Sequence, residues 1–270
     1  MLFKCEIHSI AKSIVVLCLF SFLISGCTSN LSQQTGERRY TYHEFDGIVV
    51  YYKTRDVKIY RELLPRVFDM PDEPMVMAFV IDYYKMDKET EPYKEAAIFL
   101  MAKYEGKPAW HCITMPVTSN EARWAGIWYL GYPKIMGDVN LLRNVLEYKG
   151  TFKLKDRTVM SITHNAKNHV ITDEEIEWFQ KMKGIPNLNI LRGKVFQPKF
   201  GSSKGQYTPL EIAKAFPEKF QIFVGKAKLF LNPKAAGEHS ERLAKISSIK
   251  PTRILLAYYF KNKITSRFQE

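Results

Sequence analysis

The chain has 270 residues and a mass of 31.4 kDa, with 46% hydrophobic and 25% charged residues, 14 Gly, 13 Pro and 4 Cys. Those proportions exclude a collagen-like, a disordered or a disulfide-framework protein and leave room for one sizeable core. The formal net charge is +12, but from Lys53 to Arg267 the Lys and Arg residues are spread without a dense block or a nucleic-acid motif. A solvated basic surface is therefore expected, with some attraction to anionic lipid headgroups, and nucleic acid is not an expected partner.

In chain order the first element is a targeting segment. Ile14 to Ile24 is an apolar run behind Lys4 and Lys12, and Ile24-Ser25-Gly26-Cys27 closes it ahead of the polar Thr28-Ser29-Asn30. The run is about half as long as a membrane-spanning helix needs and has the length of the centre of a secretory signal. Its last four residues resemble a bacterial lipobox, in which cleavage precedes a cysteine that then carries diacylglycerol. The resemblance implies a lipoprotein signal peptide over residues 1–26, lipidation at Cys27 and a polar tether to residue 39. The product would be anchored to a membrane of the bacterial cell envelope, at the outer membrane or periplasmic face rather than in the cytoplasm. Cys5 and Cys18 leave with the signal and Cys27 is acylated, so Cys112 remains as a lone thiol and no intramolecular disulfide is expected.

From Tyr40 onward, short runs rich in β-branched and aromatic residues recur at about 47–53, 75–84, 93–104, 109–117, 148–154, 157–163, 188–197, 219–231 and 252–261. Three helices interrupt them. Thr118 with Glu121 forms a capping-box pattern, closed by Gly131 and Pro133; Thr172 with Glu175 opens a second helix that ends at Gly184; Thr208-Pro209 starts a third. Asp173, Glu174 and Glu175 lie in a first helical turn, where carboxylates complement the backbone dipole rather than form an acidic site. No repeat and no composition break divides residues 40–270, which read as one domain of predominantly antiparallel β structure.

The stretch from Tyr93 to Lys134 carries the chemistry. Glu95 heads the run Ala96 to Met101, apolar on both faces, so its carboxylate loses hydration and needs a partner. Gly131-Tyr132-Pro133-Lys134 is a turn that places one amine beside Ile135 and Met136. Elsewhere the signals are weaker. His164 and His169, flanked by Asn165 and Asn168, fit the end of a hairpin better than a metal site. His111 and Cys112 are adjacent on a strand and point to opposite faces, which leaves Cys112 as a packed thiol.

Lys134 follows Glu95 by thirty-nine residues, and at this point the chain resembles the acetoacetate decarboxylase family. That family has Y-x-E on a core strand and, at a matching interval, a P-K turn whose lysine forms a Schiff base. The matching residues are Tyr93, Glu95, Pro133 and Lys134, with Gly126 in the place of a helix glycine. Val50 to Thr54, Leu63-Leu64-Pro65 and Asp72-Glu73-Pro74 are similar to the opening elements of the family. The resemblance implies an α+β fold, a cone-shaped barrel or bent sandwich with peripheral helices, in a homo-oligomer. It implies Lys134 and Glu95 as catalytic residues. Among the aromatic residues, Tyr93, Trp128 and Tyr132 are expected to line the Lys134 cavity. The substrate would be a small keto acid or ketone, and no metal or organic cofactor is required.

Such chemistry demands an amine free of its proton, whereas an unperturbed lysine has a pKa of about 10.4. Decarboxylases of the family carry a second lysine directly after the first, and here that position is Ile135. A cation about 5 Å away at an effective dielectric near 20 is worth about 3 kcal/mol, and that contribution is missing. The segments matching the pocket arginine and second acid read Glu44-Phe45-Asp46 and Ala78-Phe79-Val80, and the usual Gly-Arg-Glu of the helix reads Gly126-Ile127-Trp128. The expected activity is therefore decarboxylation or a related carbon–carbon reaction through a lysine iminium, in a more apolar pocket. The alternative is a non-catalytic lipoprotein that binds a small apolar ligand or lipid fragment in the same cavity.

Overall fold

Alternating β-branched and aromatic residues build one long sheet. Its strands are β1 (Thr41–Lys53), β2 (Met75–Met86), β3 (Tyr93–Tyr104), β4 (Lys107–Val117), β5 (Lys134–Met136), β11 (Phe220–Val224) and β13 (Arg253–Asn262). They lie in the order β11-β13-β1-β2-β3-β4-β5, antiparallel except for the β4–β5 pair; β14 (Ser266–Arg267) adds to the start of β1. A second sheet has the order β12 (Lys226–Leu231), β8 (Arg157–Asn165), β7 (Glu147–Leu154), β6 (Asp138–Asn144). The computed structural model describes residues 40–87, 91–198 and 207–267, so the signal peptide, Cys27 and the tether lie outside the described residues.

The two sheets stack. Ile48, Val50, Ala78, Val80 and Ile98 of the first meet Val139, Leu141, Phe152, Met160 and Ile162 of the second, all fully or almost fully buried. Each of these side chains larger than alanine contributes roughly 1.5–3 kcal/mol by leaving water. The other face of the first sheet, with Phe79, Ala97, Phe99, Met101 and Cys112, is covered by Leu130, Tyr132, Trp178 and Phe179. Leu130 ends helix α2 (Asn120–Leu130), and Trp178 and Phe179 come from α3 (Asp173–Lys181). Cover on both faces is why Ala96 to Met101 reads as a continuous apolar run rather than an alternating one.

The bent sandwich forms and the closed barrel does not. The edges of the first sheet, β11 and β5, leave it open; closure needs a full ladder at the seam, and β5 is three residues long. The stretch expected as one strand at 219–231 breaks at Gly225, sending β11 to the first sheet and β12 to the second. The stretch at 188–197 is a hairpin of β9 (Asn189–Leu191) and β10 (Lys194–Phe196).

The capping boxes at Thr172–Glu175 and Thr208–Glu211 form, the latter opening α4 (Pro209–Ala215). The first expected box shifts by one residue. Ser119 Oγ accepts from the Ala122 N–H at 3.2 Å, while Thr118 Oγ1 accepts from the Lys94 N–H at 2.9 Å and ties the helix start to β3. Short helices α1 (Val57–Leu63), α5 (Pro233–Gly237) and α6 (Glu241–Ser248) complete the periphery. Among the described residues no helix is long and apolar enough to cross a membrane.

Candidate active site

The site forms where α2 hands the chain to β5. Gly131 ends the helix with a left-handed φ of 65°, and a side chain there would put its Cβ 2.7 Å from the Ile190 carbonyl oxygen. The Tyr132 N–H donates to the Gly126 carbonyl at 3.0 Å, and the Pro133 carbonyl accepts from the Met115 N–H at 3.1 Å. Those bonds lock Lys134 beside Met115 as the first residue of β5.

The Lys134 side chain crosses α2 at Gly126. A Cβ on residue 126 would stand 2.4 Å from both Cδ and Cε of the lysine, so the amine's path exists because the helix has no side chain there. Nζ donates to Glu95 Oε2 at 3.1 Å, and the other carboxylate oxygen, Oε1, accepts from the Tyr83 hydroxyl at 3.0 Å. Both members of the pair are closed off, with side chains 5% and 7% exposed. The Tyr93 ring lies 5.3 Å below Nζ, and its hydroxyl is 3.3 Å from that of Tyr42. Tyr83 packs between the Tyr42 and Tyr93 rings at 4.8 and 4.9 Å.

The phenols are neutral donors. Burial first, and the Glu95 charge second, hold the Tyr83 and Tyr93 hydroxyls well above their usual range. Burial likewise raises Tyr42, even though its bond to Tyr93 works the other way. The Cys112 thiol is also pushed up, by burial and then by Glu95, which makes it inert packing. The result is an aromatic-walled site holding one primary amine, one carboxylate in contact with it and one hydroxyl, that of Tyr83, that donates to that carboxylate.

Of the residues expected from sequence, Lys134, Glu95 and Tyr93 come together. Tyr132 is buried on the same side of the sheet, 6.3 Å from the Phe99 ring, with its phenol turned to Asn187 and Asn189. Trp128 does not line the site. It is 53% exposed and stacks on Trp124 at 6.3 Å on the outer face of α2. The buried face of that helix is Ala122, Gly126 and Leu130, and two residues beyond Gly126 is about 200° round the helix.

Tyr83 and Tyr42 were missed. Tyr83 faces Tyr93 directly across the β2–β3 pair and Glu95 faces Ile81, which makes Tyr83 and Glu95 diagonal neighbours. Only the register reveals that contact. His111 and Cys112 do point to opposite faces: the imidazole meets the Leu188 carbonyl at 2.9 Å, and the thiol lies in the apolar cluster on the Lys134 side. His169 pairs with Glu175 at 3.0 Å, in a loop between β8 and α3 rather than at a hairpin end. Among the described residues no group of three or more His, Cys, Asp or Glu gathers as a metal site.

The model of the acetoacetate decarboxylase family matches residues 30–270. No curated protein sequence matches the chain. Among solved structures, acetoacetate decarboxylase from Legionella pneumophila is 16% identical, with a TM-score of 0.63 over 86% of this chain and 85% of that one. The enduracididine biosynthesis enzyme MppR, in complex with pyruvate, is 13% identical with a TM-score of 0.59 over 88% and 90% of the two chains. An acetoacetate decarboxylase-like enzyme from Sphingomonas wittichii is 13% identical with a TM-score of 0.55 over 87% and 91%. With a family match across nearly all of the chain and the same fold in each of these structures, this protein belongs to the acetoacetate decarboxylase family.

Proposed function

We propose that the domain is a Schiff-base lyase acting on a small keto acid or ketone, with Lys134 as nucleophile and Glu95 as its proton partner. The observation that carries the reading is the buried 3.1 Å contact between Nζ and Glu95 Oε2 at the family's lysine turn. The amine passes its proton to the carboxylate and attacks the carbonyl carbon. The resulting carbinolamine loses water to give an iminium. Breaking a neighbouring carbon–carbon bond sends its electron pair into the iminium, releasing CO₂ from a β-keto acid and leaving an enamine. Protonation of the enamine carbon and addition of water then return the ketone and the free amine. Tyr83 holds one Glu95 oxygen so that the other stays aimed at Nζ. MppR in complex with pyruvate supports a keto acid as ligand class.

The test is borohydride reduction of the folded protein with a panel of oxo acids and ketones. A covalent adduct mapped to Lys134 is expected, and a folded protein that gives none with any member ends the reading. Ile135 in place of a second cation favours one other reading, a binding protein that uses the same aromatic site without chemistry. That reading has ligand retained by Lys134→Met. We also read residues 1–39 as an export signal and lipid tether; a diacylglycerol mass on Cys27, and release of Cys27→Ser from the membrane fraction, test it.

A further inference from the structure

Helices α2 and α3 cover the same face of the first sheet, but their outer sides differ. Five of the nine residues of α3 are charged, as a solvent-facing helix requires, whereas α2 has only Glu121 and Arg123 and carries no charge from Trp124 to Leu130. The inner face of α2 is Ala122, Gly126 and Leu130. Its opposite face holds the stacked pair Trp124 and Trp128, 47% and 53% exposed, with Tyr129 exposed at the helix end. The Arg123 guanidinium lies over the Trp124 ring at 5.0 Å. Its one side-chain hydrogen bond among the described residues is a 3.4 Å contact with Asn120, and its buried Nε makes none.

A patch of large exposed aromatics marks a surface that meets something other than water. Two tryptophans, a tyrosine and an arginine suit the headgroup layer of a bilayer, where rings with a polar edge sit between water and acyl chains and a guanidinium meets phosphate. Lipid is also close to this side of the domain. Twelve residues, 28–39, separate Cys27 from Tyr40. Fully extended they reach about 40 Å, no more than the diameter of a domain of this size, roughly 45 Å. Tyr40 packs in the same cluster as Ala122 and Leu130, and Tyr42 touches Tyr93, whose ring faces Lys134 Nζ under Gly126. A lipid on Cys27 therefore holds the α2 side of the domain to the membrane.

We propose that the outer face of α2 docks in the headgroup layer of an anionic bilayer, with Trp124 and Trp128 inserted and Arg123 paired with lipid phosphate. Docking there, which rests on the reading of residues 1–39 as a lipid tether, gives the domain a second contact with the membrane. Tryptophan emission tests it, because Trp110 and Trp178 are buried and residues 1–39 contain no tryptophan. The full chain is reconstituted in vesicles of phosphatidylethanolamine and phosphatidylglycerol, brominated near either the glycerol end or the methyl end of the acyl chains. Loss of about half of the emission is expected with the first set and less with the second, since an interfacial helix lies about 5–10 Å deep. Trp124→Glu/Tyr129→Glu, at exposed positions, keeps Trp128 as reporter, and its quenching should fall by about five-fold or more. An unquenched chain that carries diacylglycerol and floats with the vesicles overturns the docking and leaves the tether standing; a quenched chain without diacylglycerol does the reverse. A dimer cross-linked through α2, its emission unquenched, overturns the docking in favour of a second copy.

Discussion

The first sheet carries a buried ionic cluster on each face, and the two are built around different cations. On the face toward the second sheet, Asp46 and Asp82 stand directly opposite each other in the β1–β2 register, which unaided is a repulsive pair. Arg143, projecting inward from β6, joins them. Its guanidinium donates to Asp46 at 2.8 and 2.5 Å and to Asp82 at 2.8 Å, and Tyr259 donates to Asp46 at 2.5 Å. Burial works against the charged guanidinium, yet its hydrogen bonds to Asp46 and Asp82 hold its pKa above the usual range. It is a permanent tie between sheets. On the opposite face the cation is a lysine with a single carboxylate, and its side chain is 5% exposed against 35% for Arg143. An ammonium has a proton to give and becomes a nucleophile when it does; a guanidinium does neither. The same sheet thus separates a charge cluster that holds the fold from one equipped for chemistry.

The sharpest break in that comparison is Lys134→Met. It should eliminate the borohydride adduct and cost about 3–5 kcal/mol in urea denaturation, because Glu95 is left buried and unpaired. The double change Glu95→Leu/Lys134→Met should recover most of that stability and none of the adduct. Arg143→Met should cost a similar 3–5 kcal/mol or so and leave adduct formation at Lys134 within about two-fold, where loss of the adduct would mean that the two clusters act as one. Gly126→Ala has the reverse signature. Alanine gains up to about 1 kcal/mol of helix propensity, while its Cβ displaces the lysine stem, so trapping should slow by about ten-fold or more with little change in melting temperature.

Acid acts on the inter-sheet side. His111 and His164, both buried there, have pKa values lowered by burial from 6.5 to about 4. The unfolded chain takes up protons at these two sites as pH falls below 6.5 and the folded chain does not. Stability should be full above that pH and drain away toward pH 4, with proton uptake on unfolding approaching about two near pH 5. Tyr83→Phe is the mildest change. Losing one hydrogen bond to the Glu95 carboxylate should cost about 1–2 kcal/mol and alter the pH profile of trapping without abolishing it.

Much of the pair that matters was legible, because Glu95 violates an apolar run and Lys134 follows a turn whose Gly and Pro fix the backbone. The bounds of β3 were readable to the residue for the same reason. What escaped depends on geometry that single residues do not encode. Tyr83 meets Glu95 through strand register, which the intervening loop does not reveal. The segment forming β5 and β6 contains Gly137, Asp138, Asn140, Arg143 and Asn144, and its inward alternation of Val139, Leu141 and Arg143 is masked by polar neighbours. Trp128 was expected at the cavity, and helical phase, two residues beyond Gly126, turns it to solvent. The short helices α1, α5 and α6, five to eight residues long, are held by packing rather than by intrinsic propensity.

Imine formation removes the carbonyl oxygen of a ketone and hydrolysis replaces it from water, so each cycle exchanges that oxygen whether or not a carbon–carbon bond breaks. The most direct measurement is therefore ¹⁸O exchange between labelled water and a trapped-panel ketone or keto acid, comparing wild type with Lys134→Met. Exchange above the solution rate in wild type, lost in the variant, is the result expected of a reactive Lys134 amine. Equal exchange in both proteins would contradict it.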